Sequence, residues 1–373
     1  MSLRTALKRV ERTGRALSRR AIAGLLGRAR TSPMPDWGAR AHRVLFLRQD
    51  RIGDMILTTG VLRAIASAQP TITLDVLASS VNAPVLAADA AVGDVLVLER
   101  KRPWTLPLLL LRMRRARYDA VIDCMVTAPS LTTLLLMLAS GARHRIGVAR
   151  RGNDFAYTLP VEPVAGATHI VEHLAALLAA FGLDPHSTDV APRIELTDEE
   201  RATAERQWQA LEEDGSSERL LINVSSGKAA RRWPDERFVA VLRRIRLRAP
   251  SIRPLLVGAP DEIERAARIA RDGDATLVRT ASIREALALV ASADRVFTPD
   301  TSIAHAASAF GKPAVVMYLC RKAAVWGLYG APGQNLESPD QTLASLPLEP
   351  VLRAVDALLE YADDLPHASA GSM

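Results

Sequence analysis

The sequence predicts an α/β protein built from two doubly wound, Rossmann-like domains in tandem that face each other across a cleft. Short apolar runs rich in Val, Ile and Leu alternate with helical stretches along most of the chain, as in parallel sheets covered on both faces. The length of 373 residues suits about two domains of roughly 150 residues each, with an extension left over. Hydrophobic content of 49% beside 24% charged residues fits a globular protein, and the low aromatic content of 4% points to an α-rich member of the class.

The extension comes first, over residues 1–40. Residues 1–43 hold eleven Arg or Lys against Glu11 and Asp36, an excess of nine positive charges, so a whole-chain charge of +7 leaves the remainder with two net negative charges. The high isoelectric point therefore belongs to this leader, and no nucleic-acid partner is expected for the body of the protein. Leu3, Ala6, Leu7, Val10, Leu17, Ala21, Leu25 and Leu26 space an amphipathic helix between roughly 3 and 30, of the kind that lies on anionic membrane surfaces. A solvated arm, or a helix packed on the body, is the plainer alternative. Ala21–Leu26 is too short for a secretory signal, so a cytoplasmic location is expected, with peripheral contact at the inner membrane. Val126–Ala139, the longest weakly polar run, falls short of a membrane span and reads as a buried strand end followed by a core helix.

The first domain is expected over 41–190. Arg43–Arg48 reads as a buried strand, followed by a loop through Asp54 and a helix over Met55–Ala68 that Pro70 ends. Strands follow at Ile72–Leu77, Asp94–Leu98, Ala120–Asp123 and Arg145–Val148, with helical stretches at Ala83–Ala88, Leu106–Arg115, Ser130–Ala139 and His169–Phe181. Gly182–Pro192, with its Asp184-Pro185 pair, reads as the interdomain linker.

The second domain, over 191–345, opens with a charged helix from Asp198 to Glu213. Its strands are expected at Leu220–Val224, Pro254–Val257, Thr276–Val278, Arg295–Thr298 and Ala314–Tyr318. Helices fill Asp235–Arg248, Asp261–Arg271, Ile283–Ala291 and Ser302–Phe310. A last helix, Glu349–Tyr361 within the segment 346–362, is expected to cross back onto the first domain, and residues 363–373 form a polar tail. Cys124 and Cys320 stand far apart without a CxxC partner, which speaks against a disulfide framework or a structural zinc site and for two small buried hydrophobes.

In open α/β sheets ligands bind beyond the carboxyl ends of strands, so chemistry is sought in the loops there. After the first strand stand Arg51, Gly53 and Asp54. Glycine allows close backbone approach or an unusual φ, and a carboxylate at a helix start can accept a proton from a substrate hydroxyl or simply cap the helix. The absence of G-x-G-x-x-G and of G-x-x-x-x-G-K-[ST] there weighs against dinucleotide oxidoreductases and P-loop NTPases. After Asn223-Val224 come Ser225, Ser226, Gly227, Lys228, Arg231 and Arg232, ahead of Trp233-Pro234. Hydroxyls, backbone N–H groups and cations are what a diphosphate needs, whereas Trp233 reads as a packing residue. Asp300, Thr301 and Ser302 open a helix whose free N–H groups form an anion site. His305 lies one turn in, either as a ligand or as a satisfied core residue, and Gly311 ends the helix. Glu262 and Glu264 follow Gly258-Ala259, where a carboxylate can hold ribose hydroxyls or serve as ordinary helix-surface charge.

Taken in order, Arg51-Ile52-Gly53-Asp54-Met55-Ile56-Leu57-Thr58-Thr59, Arg231-Arg232-Trp233-Pro234, and Asp300-Thr301 with His305 and Gly311-Lys312-Pro313 resemble glycosyltransferase family 9, the heptosyltransferases of lipopolysaccharide assembly. The resemblance covers Arg43 to about Tyr361. It implies the glycosyltransferase B fold, with an acceptor-side first domain and a second domain that binds the sugar nucleotide. It also implies an inverting, metal-independent transferase with no cofactor, using a nucleotide-sugar donor, typically ADP-heptose, and a glycolipid or oligosaccharide acceptor. Asp54 would be the general base, with Arg51 and Gly53 in the acceptor-side loop. Ser225, Ser226, Lys228, Arg231, Thr301, Ser302 and His305 would line the donor site, Asp300 would hold sugar hydroxyls, and Glu262 the ribose, with Glu264 as its rival. Arg231 stands where the family usually has lysine, Ser302 replaces the usual glycine, and Leu319-Cys320-Arg321 replaces a Gly-Pro turn, so the donor's identity is the least fixed point. Two alternatives stay open on the sequence: a nucleotide-sugar epimerase of the same architecture, and a non-enzymatic membrane- or nucleic-acid-binding module acting through the basic leader.

Overall fold

The computed structural model describes residues 3–149, 152–210 and 218–361, and the chain divides between Glu195 and Leu196 into two compact units. The first contains α1 (Leu3–Leu26), β1 (His42–Arg48), α2 (Ile52–Ala68), β2 (Ile72–Ser79), β3 (Val95–Leu98), α3 (Leu106–Ala116), β4 (Ala120–Asp123), α4 (Leu131–Ala139), β5 (His144–Val148), β6 (Leu159–Val161) and α5 (Ile170–Ala175). All neighbours pair in parallel, in the order β3-β2-β1-β4-β5-β6. The strand order reverses between β1 and β4, so the loops that follow these two strands diverge and leave room at the sheet's carboxyl edge.

Central strands of such a sheet are covered on both sides, which is why β1 reads Val-Leu-Phe-Leu without alternation and why Val44 to Leu47 are fully buried. Leu45, Leu47, Val121, Met113, Leu134 and Met137 form a core under α3 and α4. Val126 lies in the loop after β4 rather than in a strand, and the core helix begins at Leu131. α2 is apolar on nearly all sides because the segment after α5 covers the face turned from the sheet. A Cβ added at Gly60 would lie 2.0 Å from the Val190 carbonyl oxygen, and the Arg193 N–H donates to Thr59 Oγ1 at 2.9 Å. The helix expected over His169–Phe181 is α5 followed by a 3₁₀ stretch, Ala176–Phe181.

The second unit repeats the scheme with α6 (Asp198–Gln209), β7 (Leu220–Asn223), α7 (Asp235–Arg248), β8 (Leu255–Val257), α8 (Ile263–Gly273), β9 (Thr276–Val278), α9 (Ile283–Ala291), β10 (Arg295–Pro299), α10 (Ser302–Ala309), β11 (Ala314–Tyr318), α11 (Ala323–Trp326), β12 (Gly333–Glu337) and α12 (Leu348–Leu359). Its parallel order, β12-β11-β10-β7-β8-β9, is the first sheet's order in new numbers, with the reversal between β7 and β10. Thr197 caps α6 in a capping box with Glu200; the expected continuation of this helix over 211–213 lies outside the described residues. The polar tail expected over 363–373 lies outside them as well.

Two strands escape a reading by hydrophobic runs. β6 is three residues long with Pro160 at its centre, and β12, Gly-Gln-Asn-Leu-Glu, is largely exposed; both are edge strands, which need little apolar burial. The last helix, expected to cross back onto the first domain, places its apolar face within its own unit: Val351, Ala354, Val355 and Leu358 of α12 are buried in the second unit's core, and Arg244 of α7 holds Asp356 at 2.6 Å. Among the described residues no helix is long and apolar enough to cross a membrane.

Candidate active site

The reversal point of the first sheet is occupied by one buried cation. Arg48, the last residue of β1, is 2% exposed. Its Nε donates to the Asp54 carbonyl at 3.1 Å and its Nη1 to the Cys124 carbonyl at 2.7 Å, joining the ends of β1 and β4 to the first turn of α2. The Arg48 Nη2 also lies 3.7 Å from Asp54 Oδ1, and Nη1 lies 3.5 Å from Asp50 Oδ2. Burial alone would lower the Arg48 pKa, but the charges of Asp50 and Asp54 outweigh it and leave the guanidinium firmly protonated.

Asp54 is not a helix cap. The cap position of α2 is Arg51, in extended backbone with no side-chain cap bond, and Asp54 sits in the first turn with its side chain 12% exposed. Burial raises its pKa from the ordinary carboxylate value; Arg48 pulls it down and Asp50 pushes it up, and the balance is about 6. A carboxylate so placed is ionised at neutral pH yet basic enough to take a proton, which is the setting a general base requires. Gly53 needs no unusual φ, being an ordinary buried helical residue, and Arg51 is exposed.

The loop carrying these residues is fixed from its neighbours. Asn82, fully buried, donates to the carbonyls of Arg48 and Arg51 at 2.9 and 3.4 Å, and Arg100 donates to the Gln49 carbonyl at 2.9 Å. Under the β4 end, Asp123 accepts from Tyr157 at 2.8 Å and Asn153 at 3.2 Å; burial nonetheless raises its pKa. Cys124 is buried and its thiol is pushed up to about 12 by burial, whereas Cys320 is only half-buried in the turn after β11, not the core hydrophobe expected.

In the second unit the reversal point is bridged by Asn223 at the end of β7. Its Nδ2 donates at 3.0 Å to both Thr298 Oγ1 of β10 and Thr301 Oγ1, the N-cap of α10. Ser225 Oγ donates to Asn223 Oδ1 at 2.7 Å and accepts the Ala259 N–H at 2.7 Å, so this hydroxyl is spent on latching two loops together. Ser226 Oγ donates to Glu262 Oε1 at 3.1 Å. Glu262, 4% exposed, is also engaged by Arg265 at 3.1 Å and approached by Arg232 at 3.6 Å. The structure therefore brings Glu262 into the loop cluster and leaves Glu264 outside it, exposed and paired with Arg279.

Arg231 meets Asp300. The Arg231 Nη1 donates to the Asp300 carbonyl at 2.8 Å and Nη2 lies 3.0 Å from Asp300 Oδ2, with the carboxylate almost buried. Lys228, three residues before Arg231, is exposed, Ser302 is half-buried in the first turn of α10, and His305 is buried one turn on, its ring 6.5 Å from that of Trp326. Gly311, with φ +65°, ends α10. Trp233 is a packing residue: fully buried, edge-on to Phe238, its Nε1 bonded to the Leu346 carbonyl at 3.1 Å.

Sequence reasoning missed four residues here. Arg48 and Asn223 read as strand residues, Tyr318 ends β11 with a buried hydroxyl that has no hydrogen-bond partner, and Arg265 falls inside the helix expected over Asp261–Arg271. Burial and the nearby Asp300 charge raise the Tyr318 pKa. Arg265 donates to the carbonyls of Val224 at 2.6 Å and Trp233 at 2.7 Å, to Asp235 at 2.6 Å and to Glu262, tying both ends of the 224–235 loop to α8. Buried arginine at a strand end or on a helix carries no periodic signature, and only its partners reveal it. Among the described residues no group of three or more His, Cys, Asp or Glu stands close enough to hold a metal ion.

This fold is shared with solved glycosyltransferases. A glycosyl transferase family 9 crystal structure from Veillonella parvula DSM 2008 superposes with a TM-score of 0.76 at 18% identity, covering 88% of this chain and 99% of that one. An E. coli heptosyltransferase with ADP gives 0.68 at 22% identity, covering 85% and 99%. Lipopolysaccharide heptosyltransferase 1 of Escherichia coli strain K12 is 24% identical over 336 residues, covering 85% of this chain and 100% of that protein. Its counterpart from Salmonella typhimurium strain LT2 is 25% identical over 319 residues, covering 82% and 96%. The two tandem doubly wound domains are the glycosyltransferase B fold that the motifs implied. The model of glycosyltransferase family 9 (heptosyltransferase) matches residues 109–346, more than half of the chain although it begins beyond the Asp54 loop, and the chain belongs to that family of glycosyltransferases.

Proposed function

We propose that this enzyme transfers a heptose from ADP-heptose to the core of a lipopolysaccharide or a related glycolipid, with inversion and without a metal ion, at the cytoplasmic face of the inner membrane. The observation that carries the proposal is Asp54: a nearly buried carboxylate at the sheet's reversal point, with a pKa near 6 set by burial, Arg48 and Asp50. It takes the proton of an acceptor hydroxyl as that oxygen forms a bond to the anomeric carbon. The bond from that carbon to the diphosphate oxygen breaks on the opposite face, and the nucleoside diphosphate leaves with the electron pair.

The leaving charge falls to the second unit. Arg231 is held ready by Asp300, and Lys228 and the N–H groups at the start of α10 add positive potential. Ser225 and Ser226 act by ordering the loop, since their hydroxyls are engaged within it. Asp300, Thr301, Ser302 and His305 border the sugar and phosphates, and Glu262 reaches the ribose by exchanging its bond with Ser226. The names of the curated relatives, and the ADP and ADP-2-deoxy-2-fluoro heptose present in two solved structures of one E. coli heptosyltransferase of the same fold, support this choice of donor.

Purified protein incubated with ADP-heptose and a truncated lipopolysaccharide core should release ADP and lengthen the core by one heptose. Release of ADP with other sugars only, or no product with any sugar nucleotide, would sink the donor assignment. Conversion of the donor in the absence of acceptor would redirect it to an epimerase.

A further inference from the structure

The first unit exposes apolar side chains where a water-soluble helix should be polar. α3 already has a buried face, Leu109 and Met113, yet its opposite face and the turn before it show Trp104 at 72%, Leu108 at 62% and Leu111 at 44% exposure. The spacing 104, 108, 111 aligns these on one side of the helix. From 100 to 117 the chain holds seven Arg or Lys and no acidic residue. A cluster of exposed large apolar residues marks an interaction site, and one ringed by cations with a tryptophan at its edge has the composition of helices that sit at a lipid headgroup boundary.

We propose that this face of α3 is the surface on which the enzyme docks to an anionic lipid bilayer, with Trp104, Leu108 and Leu111 entering the headgroup layer and the flanking arginines meeting lipid phosphates. Two features favour a bilayer over a protein partner. Exposed apolar residues continue onto the neighbouring helices: α3 packs beside α4 and α4 beside α1, and these expose Leu135, Leu17 and Leu25, with the exposed cation Arg20 on α1. The face also adjoins the chemistry, because Arg100 at its rim donates to the Gln49 carbonyl in the loop that carries Asp54. Docking here would bring a lipid-linked acceptor to the base without withdrawing its lipid from the bilayer. The proposal rests on the lipid-linked acceptor for its purpose, but its test uses no donor or acceptor, so the two can fail separately.

The full chain would be mixed with vesicles of phosphatidylethanolamine and phosphatidylglycerol, or of phosphatidylcholine alone, and with matched vesicles carrying brominated acyl chains. Trp104 is the strongly exposed one of the five tryptophans, since Trp37, Trp208 and Trp233 are buried and Trp326 is half-buried. Quenching by brominated lipid should occur with anionic vesicles and vanish in Trp104→Phe, which still binds. The triple variant Trp104→Ser, Leu108→Ser, Leu111→Ser should sediment with anionic vesicles at least tenfold more weakly while melting at the wild-type temperature. Wild-type binding by the triple variant would overturn the proposal in favour of the leader alone. So would quenching that survives Trp104→Phe, or a wild-type dimer in solution that the triple variant dissociates.

Discussion

Arg48 meets Asp54 in two ways: the guanidinium donates through Nε to the Asp54 carbonyl at 3.1 Å, and its Nη2 faces the carboxylate as an ion pair at 3.7 Å, beyond hydrogen-bond reach. The first contact holds the helix turn, and the second offsets part of the rise in pKa that burial imposes on the carboxylate. One side chain thus bears on both the position and the proton affinity of the proposed base, the latter together with burial and Asp50.

Asp54→Asn should lower turnover by about 10²–10⁴-fold while donor affinity stays within about tenfold, since proton acceptance is what the change removes. Steady-state rates together with ADP-heptose binding would show it. Near-wild-type turnover would end the assignment.

Because a base must be ionised, wild-type kcat/KM should climb with pH through about 6 and level off above it. The same shift has a stability consequence of opposite sense. The folded state holds this proton more tightly than the unfolded chain, whose aspartates titrate near ~4, so the contribution is complete below ~4 and lost as pH rises through about 6. Asp54→Asn should therefore be the more stable protein at pH 8, by on the order of 2 kcal/mol, with the gap closing by pH 4. Equal melting temperatures at pH 8 would contradict the burial of an ionised Asp54.

Arg48→Lys keeps a charge but loses the fork that reaches two carbonyls at once. With the cation less well placed against Asp54, the acid limb of the rate profile should move to higher pH, cutting activity at pH 6 more than at pH 8. A uniform loss at all pH values would mean that Arg48 acts only on structure.

Arg231→Ala removes a partner of the proposed leaving group and should lower kcat/KM about 10–100-fold, as expected for loss of a charged hydrogen bond worth roughly 1.5–3 kcal/mol. Arg231→Lys should fall between. If both variants match wild type, the diphosphate is held elsewhere.

Arg265→Met would strand the buried Glu262 carboxylate and release the Val224 and Trp233 carbonyls, costing about 3–5 kcal/mol. Arg265→Lys should recover part of the stability. In both, ADP should stabilise the protein against heat less than it does the wild type, because the loop proposed to meet the nucleotide has lost its anchor. An unchanged ADP shift would reduce Arg265 to a packing role.

The alternation of strands and helices was legible because a central parallel strand must be apolar on both faces and a covering helix on one, and both demands are written in residue order. The loop motifs were legible for a related reason: Asp54, Arg231 and Asp300 each stand just past such a strand, where polar groups are not needed for folding. β6 and β12 were not legible, since an edge strand can form from Pro-containing or polar residues once a neighbour offers its backbone.

What the sequence determined by itself was therefore the class of fold, the order of elements and the polar loops beyond the strands, all consequences of local pattern. Tertiary structure alone decided the partnerships. It paired Arg231 with Asp300 and chose Glu262 over Glu264 for the loop cluster; it also turned Ser225 into a latch and kept α12 on its own unit. Each of these joins residues far apart in the chain, where burial and charge act through space. The Asp54 pKa is the clearest case: the residue is named by its motif, but its value comes from desolvation, Arg48 and Asp50 meeting at one point in the fold.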